Sequence, residues 1–158
     1  MYIKKLFLLL NKIKKKNLKL AIAESCTGGL ISNKIIKING ASVFFNTGII
    51  CYSNESKVNI LKIKKYTIKK FGAVSKETCK EMTKNILKIG NANVSIATTG
   101  IAGPGGGSKN KPVGLVYIGI GTKKKIRIYK FKFNKDFGRK KIQHLTFLKS
   151  IFLLNKNI

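Results

Sequence analysis

The 158-residue chain is expected to form one α/β domain, residues 1–158, a three-layer α/β/α arrangement around a mixed sheet. Three observations predict it. Short apolar runs alternate with stretches whose apolar residues recur at helical spacing. The last two strand-like runs, residues 113–120 and 126–133, are joined only by Gly121-Thr122-Lys123-Lys124-Lys125, a connection short enough to imply an antiparallel pair. Length and a hydrophobic content of 44% provide for one real core and argue against disorder. No internal repeat or interdomain linker interrupts the chain.

Taken in order, residues 1–10 place lysines before an apolar run and so imitate a signal peptide. The run is only five residues long, and Asn11, Lys12 and Lys14 to Lys16 stand where a small-residue cleavage site belongs. Ile3, Leu6, Phe7, Leu10 and Ile13 repeat at helical spacing, so an amphipathic first helix is expected instead. Residues 18–23 read as a buried strand, and Leu30, Ile31, Ile35 and Ile36 after it as a helix. Residues 47–51 read as a strand ending at Tyr52. Ser75 caps a helix through Lys88 that carries Cys79, Met82, Ile86 and Ile89 on one face and stops at Gly90. Residues 93–98 form a further strand, and a C-terminal helix covers about 137–154. No run reaches the roughly 18 to 20 apolar residues that span a membrane.

A formal net charge of +28 invites a nucleic-acid or anionic-membrane reading. Yet 31 of the 33 basic residues are lysines, spread along the whole chain, and only Arg127 and Arg139 bring the guanidinium fork that base and phosphate recognition leans on. Abundant Lys, Ile, Asn and Phe fit an AT-rich genome. The charge is therefore read as compositional, with nucleic acid and membrane not expected as partners. Its physical effects remain, namely self-repulsion at low salt and attraction of an anionic substrate. Cys26, Cys51 and Cys79, an odd count without a CxxC pair, suggest reduced thiols in a cytoplasmic protein. The five acidic residues are scattered, and no metal cluster or cofactor motif is found.

Two segments place small residues just after strand-like runs: Ala23-Glu24-Ser25-Cys26-Thr27-Gly28-Gly29 and Thr99-Gly100-Ile101-Ala102-Gly103-Pro104-Gly105-Gly106-Gly107. In the first, Ser25, Cys26 and Thr27 are expected at a helix N-terminus, where free N–H groups and the helix dipole favour an anion or a developing oxyanion. The plainer alternative makes Ser25 or Thr27 an N-cap and the glycines packing residues. The second is a flexible loop whose glycines let amides approach a phosphate, with Lys109 and Lys111 adding charge, although it matches neither a Walker A nor a dinucleotide fingerprint.

These segments, with Tyr52-Ser53-Asn54-Glu55-Ser56-Lys57, Gly72-Ala73-Val74-Ser75 and Lys111-Pro112-Val113-Gly114, resemble the motifs of the CinA C-terminal domain family, the nicotinamide-nucleotide amidohydrolases, in order and spacing. The resemblance covers most of the chain. It implies hydrolysis of the carboxamide of nicotinamide mononucleotide to nicotinic acid mononucleotide and ammonia, without a cofactor, in pyridine-nucleotide recycling. It assigns the nucleophile to Ser25, with Lys57 and Tyr52 as its catalytic partners. The substrate is expected against Cys26, Thr27, Gly28, Gly29, Gly100, Ile101, Ala102, Gly103 and Gly106, and a homo-oligomer is expected. The larger N-terminal domain of full-length members is absent, so any activity housed there should be missing.

Amide hydrolysis needs a nucleophile, a proton acceptor that later protonates ammonia, and oxyanion stabilisation. The single histidine, His144, falls in the C-terminal helix, where it reads as structural, so a Ser–Lys pair is favoured over Ser-His-Asp. A lysine base acts only when neutral. Lowering its pKa from about 10.4 to about 7 costs roughly 4 to 5 kcal/mol, which burial and neighbouring cations supply and Glu24 or Glu55 would oppose within hydrogen-bond reach. Tyr52 is placed to hydrogen-bond the serine or relay the proton. Cys26 is the alternative nucleophile, its thiol pKa lowered by a helix N-terminus and cations. One departure from the family is Phe133-Asn134-Lys135-Asp136-Phe137, where Phe-x-Gly-Asp-Arg is common; Arg139 or Lys141 is the candidate replacement for the arginine. A catalytically weakened nucleotide-binding relative and a basic nucleic-acid-associated protein are the competing readings.

Overall fold

The computed structural model describes residues 2–158, with side chains from Leu6 onward. In order, the elements are α1 (Tyr2–Lys15), β1 (Leu20–Glu24), α2 (Leu30–Ile36), a 3-10 turn (Ala41–Val43), β2 (Phe45–Ile50), α3 (Asn54–Asn59), α4 (Lys65–Phe71), α5 (Lys76–Ile89), β3 (Val94–Gly100), β4 (Leu115–Thr122), β5 (Ile126–Lys132), a second 3-10 turn (Lys135–Phe137) and α6 (Gly138–Asn157). The sheet runs β2-β1-β3-β4-β5. β1 pairs in parallel with β2 and β3, while β3–β4 and β4–β5 are antiparallel. The sheet is therefore mixed, as the short connection after β4 requires.

β1 and β3 lie at the centre and are buried almost throughout, which is why both read as continuous apolar runs. Their side chains alternate between two cores. Leu20, Ile22, Val94 and Ile96 face α1, α2 and α6, packing against Leu9, Leu10, Ile13, Ile31, Ile35, Ile142 and Phe147. Ala21, Ala23 and Ala97 face Met82 and Ile86 of α5 together with Leu61 and Ile63. The residues on that second face are small because α5 lies close. A Cβ on Gly119 would sit 1.8 Å from Thr83 Oγ1.

Several expectations need correction. The buried stripe of α1 is Leu6, Leu9, Leu10 and Ile13; Phe7 is exposed, and the side chain of Ile3 lies outside the described residues. Ile36 and Ile89 end their helices exposed, since each closes the last turn beyond the core. Ser75 does cap α5, accepting from the Thr78 amide at 3.1 Å. The short helices α3 and α4 have no periodic signal over so few residues, yet α3 carries the buried Lys57.

Candidate active site

The parallel strands β2, β1 and β3 end on the same side of the sheet, and their carboxyl ends open into a crevice, the usual ligand position in an α/β fold. A cavity of about 210 Å³ lies there. The turn after β1 supplies Ser25 and Cys26, the segment after β2 supplies Tyr52 and Lys57, and the end of β3 with its loop supplies Thr99, Gly100, Ile101, Ala102, Gly103, Gly105 and Gly106. Ala73 and Val74 enter from the segment between α4 and α5, and Arg139 from the first turn of α6. Both small-residue segments thus meet in one cavity, the juxtaposition expected of them.

The first turn is held from inside. Glu24, fully buried at the end of β1, accepts from the amides of Gly29 (3.0 Å), Ile31 (3.1 Å) and Ser32 (2.8 Å) and from the Ser32 hydroxyl (2.7 Å). This overturns the helix-dipole expectation, because the protein's own carboxylate already occupies the N-terminus of α2. Thr27, Gly28 and Gly29 do not line the cavity. Thr27 pairs with the Thr98 hydroxyl at 2.8 Å, and Gly28 and Gly29 make the turn with φ of 58° and 93°. Ser25 is 7% exposed, extends the β1–β3 ladder through its amide to Thr98 O (3.0 Å), and presents a hydroxyl without a hydrogen-bond partner among the described residues. Gln143 of α6 anchors the turn by donating to Cys26 O at 2.8 Å.

Lys57 is 1% exposed, and with Glu24 it forms the charged part of the interior among the described residues. Its Nζ donates to the carbonyls of Cys51 (2.9 Å), Tyr52 (3.2 Å) and Ser53 (3.4 Å). Burial pulls its pKa below the usual lysine value, opposed by the nearby thiols of Cys51 and Cys26. The lowering is therefore a desolvation effect and not the work of neighbouring cations. Glu24 turns toward α2, and Glu55 lines a separate groove with Lys65 and Lys69. Neither carboxylate opposes it.

The phenol of Tyr52 lines the same cavity as the serine but makes no hydrogen bond to it among the described residues. It is 62% exposed and accepts from Arg139 Nη2 at 2.9 Å, while Arg139 Nη1 donates to Gly103 O at 3.1 Å. Arg139 therefore clamps the loop after β3 to the segment after β2. Of the two candidate replacements for the arginine expected at residues 133–137, Arg139 lines the cavity, whereas Lys141 lies over the Phe137 ring. Thr99, whose hydroxyl donates to Ala73 O at 2.8 Å, belongs to the site as well. Lys109 and Lys111 do not line the cavity, and Lys111 donates instead to Phe71 O.

Cys26 is not an activated thiol. Burial pushes its pKa up to about 12, overriding its own amide and the more distant Lys57 and Arg139, so it stays protonated near neutral pH. His144 lies beside Phe147 in α6, with ring centroids 6.2 Å apart, and does not reach the cavity. Among the described residues no group of three His, Cys, Asp or Glu is placed to hold a metal ion, and no helix is long and apolar enough to cross a membrane.

The fold and the cavity define a mixed-sheet α/β protein with a small cavity at the carboxyl ends of its parallel strands. The chain belongs to the CinA C-terminal domain family, whose model matches residues 5–158. It is 48% identical over 144 residues to a protein of Thermoanaerobacter pseudethanolicus named as a competence-damage inducible protein, covering 91% of this chain and 34% of that one. A similarly named protein of Clostridium botulinum is 45% identical over 150 residues, with 94% and 36% covered. The chain thus spans about a third of the length of the curated relatives it matches. Among solved structures, the competence/damage inducible protein of Agrobacterium tumefaciens is similar with a TM-score of 0.93 at 34% identity, covering 97% of this chain and 93% of that one. The competence or damage-inducible protein of Enterobacter asburiae gives 0.94 at 28% identity, covering 99% and 98%.

Proposed function

We propose that this chain is a nicotinamide-nucleotide amidohydrolase that converts nicotinamide mononucleotide to nicotinic acid mononucleotide and ammonia. The observation that carries the reading is a serine hydroxyl without a hydrogen-bond partner among the described residues, in the same small cavity as a buried lysine whose pKa is lowered. Ser25 Oγ attacks the carboxamide carbon and gives its proton to neutral Lys57. The C–N bond then breaks, ammonia leaves with the proton returned by Lys57, and water hydrolyses the acyl-serine by the reverse use of the same base. A neutral amine has two N–H donors and one lone pair. Two of the three carbonyls around Nζ can therefore keep their bonds while the lone pair faces the reaction.

The cavity volume falls below the roughly 300 to 1,000 Å³ of pockets that enclose a whole drug-sized ligand. It suits the ring and carboxamide, with the ribose phosphate leaving by the mouth between the glycine loop and Arg139. Arg139 uses two N–H groups inside the protein and retains others for a phosphate.

The test is ammonia release from nicotinamide mononucleotide by the wild type beside Ser25→Ala and Cys26→Ala. Turnover is expected to vanish in the first and persist in the second. Equal turnover in wild type and Ser25→Ala sinks the serine's role. Binding of the mononucleotide without ammonia in the wild type makes the chain a catalytically weakened relative.

A further inference from the structure

The first turns of α6 reach both walls of the cavity. Arg139 and Gln143 are four residues apart and so share one face of the helix. Arg139 holds the loop after β3 through Gly103 O and the segment after β2 through the Tyr52 phenol. Gln143 holds the turn after β1, its Nε2 donating to Cys26 O at 2.8 Å across 117 residues of sequence. Ile142 beside it and Phe147 one turn on are fully buried in the first core, which fixes the helix against the sheet.

The backbone around Ser25 is tied at three points. Its amide donates to Thr98 O at 3.0 Å, a tie to the sheet, and its carbonyl accepts from Gly28 N at 3.1 Å, a tie within the turn. The third point is the carbonyl of the next residue, Cys26, and its partner is Gln143. A planar peptide turns as a unit, so a bond to that carbonyl sets the plane that follows the serine. Of the three ties this one alone is made by a side chain, and a substitution removes it without touching the backbone. A carbonyl only accepts, so position 143 must supply a donor. The Gln143 amide makes no other hydrogen bond among the described residues.

We propose that Gln143 is a positioning residue for Ser25: it sets the nucleophile turn from α6 and, four residues from Arg139, registers that turn against the loop that envelops the ligand. The proposal rests on the reading of Ser25 as nucleophile. Gln143 does not line the cavity and acts through the Cys26 peptide. Without the tie the turn drifts from its place, which slows attack far more than it weakens binding, because the enveloping wall is left as it was.

Gln143→Met keeps about the shape of the side chain and removes the donor. With nicotinamide mononucleotide, kcat is expected to fall about ten- to hundredfold while KM stays within about twofold. A small dialkyl fluorophosphonate, whose fluoride Ser25 Oγ displaces, reads the same positioning without the amide substrate. Its rate of labelling at Ser25, located by peptide mass mapping, should fall in parallel. Ile142→Val loosens the neighbouring buried residue of α6 without touching the turn, and both rates should stay within about twofold of wild type there, with thermal melts comparing the stability of the two variants. Wild-type turnover and labelling in Gln143→Met overturn the inference and leave the proposed function standing. So does a loss confined to KM, or an Ile142→Val variant that loses as much as Gln143→Met. A wild type that is labelled but releases no ammonia removes the amidohydrolase reading, and the labelling rates then decide the inference. A Ser25 that is not labelled, in a chain that releases no ammonia, overturns both.

Discussion

The turn after β1 and the loop after β3 reach the cavity from neighbouring parallel strands, yet they are held in opposite ways. The first is fixed from within by the four hydrogen bonds to Glu24 and by the Thr27–Thr98 pair, all in or beside the core. The second is held at its rims, by Ile101 N to Leu115 O and Gly114 N to Ile101 O (2.8 Å each) and by the clamp of Arg139 on Gly103, while residues 104–107 are exposed. Under the proposed function the reacting hydroxyl must be kept within a fraction of an ångström of its target, and the fixed wall is the one that carries Ser25. A wall that only envelops the ligand can be glycine-rich and adjustable.

If that division is right, the largest losses belong to the fixed side. Lys57→Met should lower kcat/KM by about two to four orders of magnitude, the usual worth of a positioned general base. The wild-type kcat/KM should rise with pH along an ionisation below the ordinary lysine value of 10.5, because burial favours the neutral amine and the neutral amine is the active form. A pH profile that keeps this limb in a residually active Lys57 variant would assign it to another group.

Glu24→Gln comes next, and its effect should be on stability. An amide of the same shape turns an NH₂ toward N–H groups that had a carboxylate, which should cost about 3 kcal/mol in a denaturant melt. A loss below about 1 kcal/mol would mean that the turn is not held by that carboxylate.

Within the adjustable wall the glycines should divide. Gly103 has φ +82°, and a Cβ there would lie 2.6 Å from Val113 Cγ1. Gly103→Ala should cost about 1 to 2 kcal/mol and raise KM more than it lowers kcat. Gly105 has no heavy atom within 4 Å of an added Cβ, and Gly105→Ala should change stability by less than about 0.5 kcal/mol. Equal effects at the two positions would mean that the whole loop is under one constraint.

Local pattern carried much of this molecule. The apolar run at residues 18–23, the Ser75 cap, the Gly90 stop and the short connection after β4 are properties of neighbours in sequence, and the matching elements β1, α5, β4 and β5 are where they point. The two small-residue segments were legible for the same reason, since glycine after an apolar run marks a strand end wherever it lies in the fold. Partner choice across long separations was not legible. Nothing near Glu24 in sequence says whether its carboxylate meets Lys57 or the amides of α2, and only the packing of α2 against β1 turned it to the amides. Lys57 is one of 31 lysines, and burial behind three carbonyls is what separates it from the others whose side chains are described.

Arg139 is 87 residues from Tyr52 and 36 from Gly103, and it meets both because β5 ends at the carboxyl end of the parallel strands. The sequence by itself determined the period of each element and the residue types at the strand ends, because those depend on backbone geometry repeated every two or 3.6 residues. Only the tertiary structure decided which charges are buried and which donors are taken, because desolvation and hydrogen-bond partnership are set by whatever segment arrives from elsewhere in the chain.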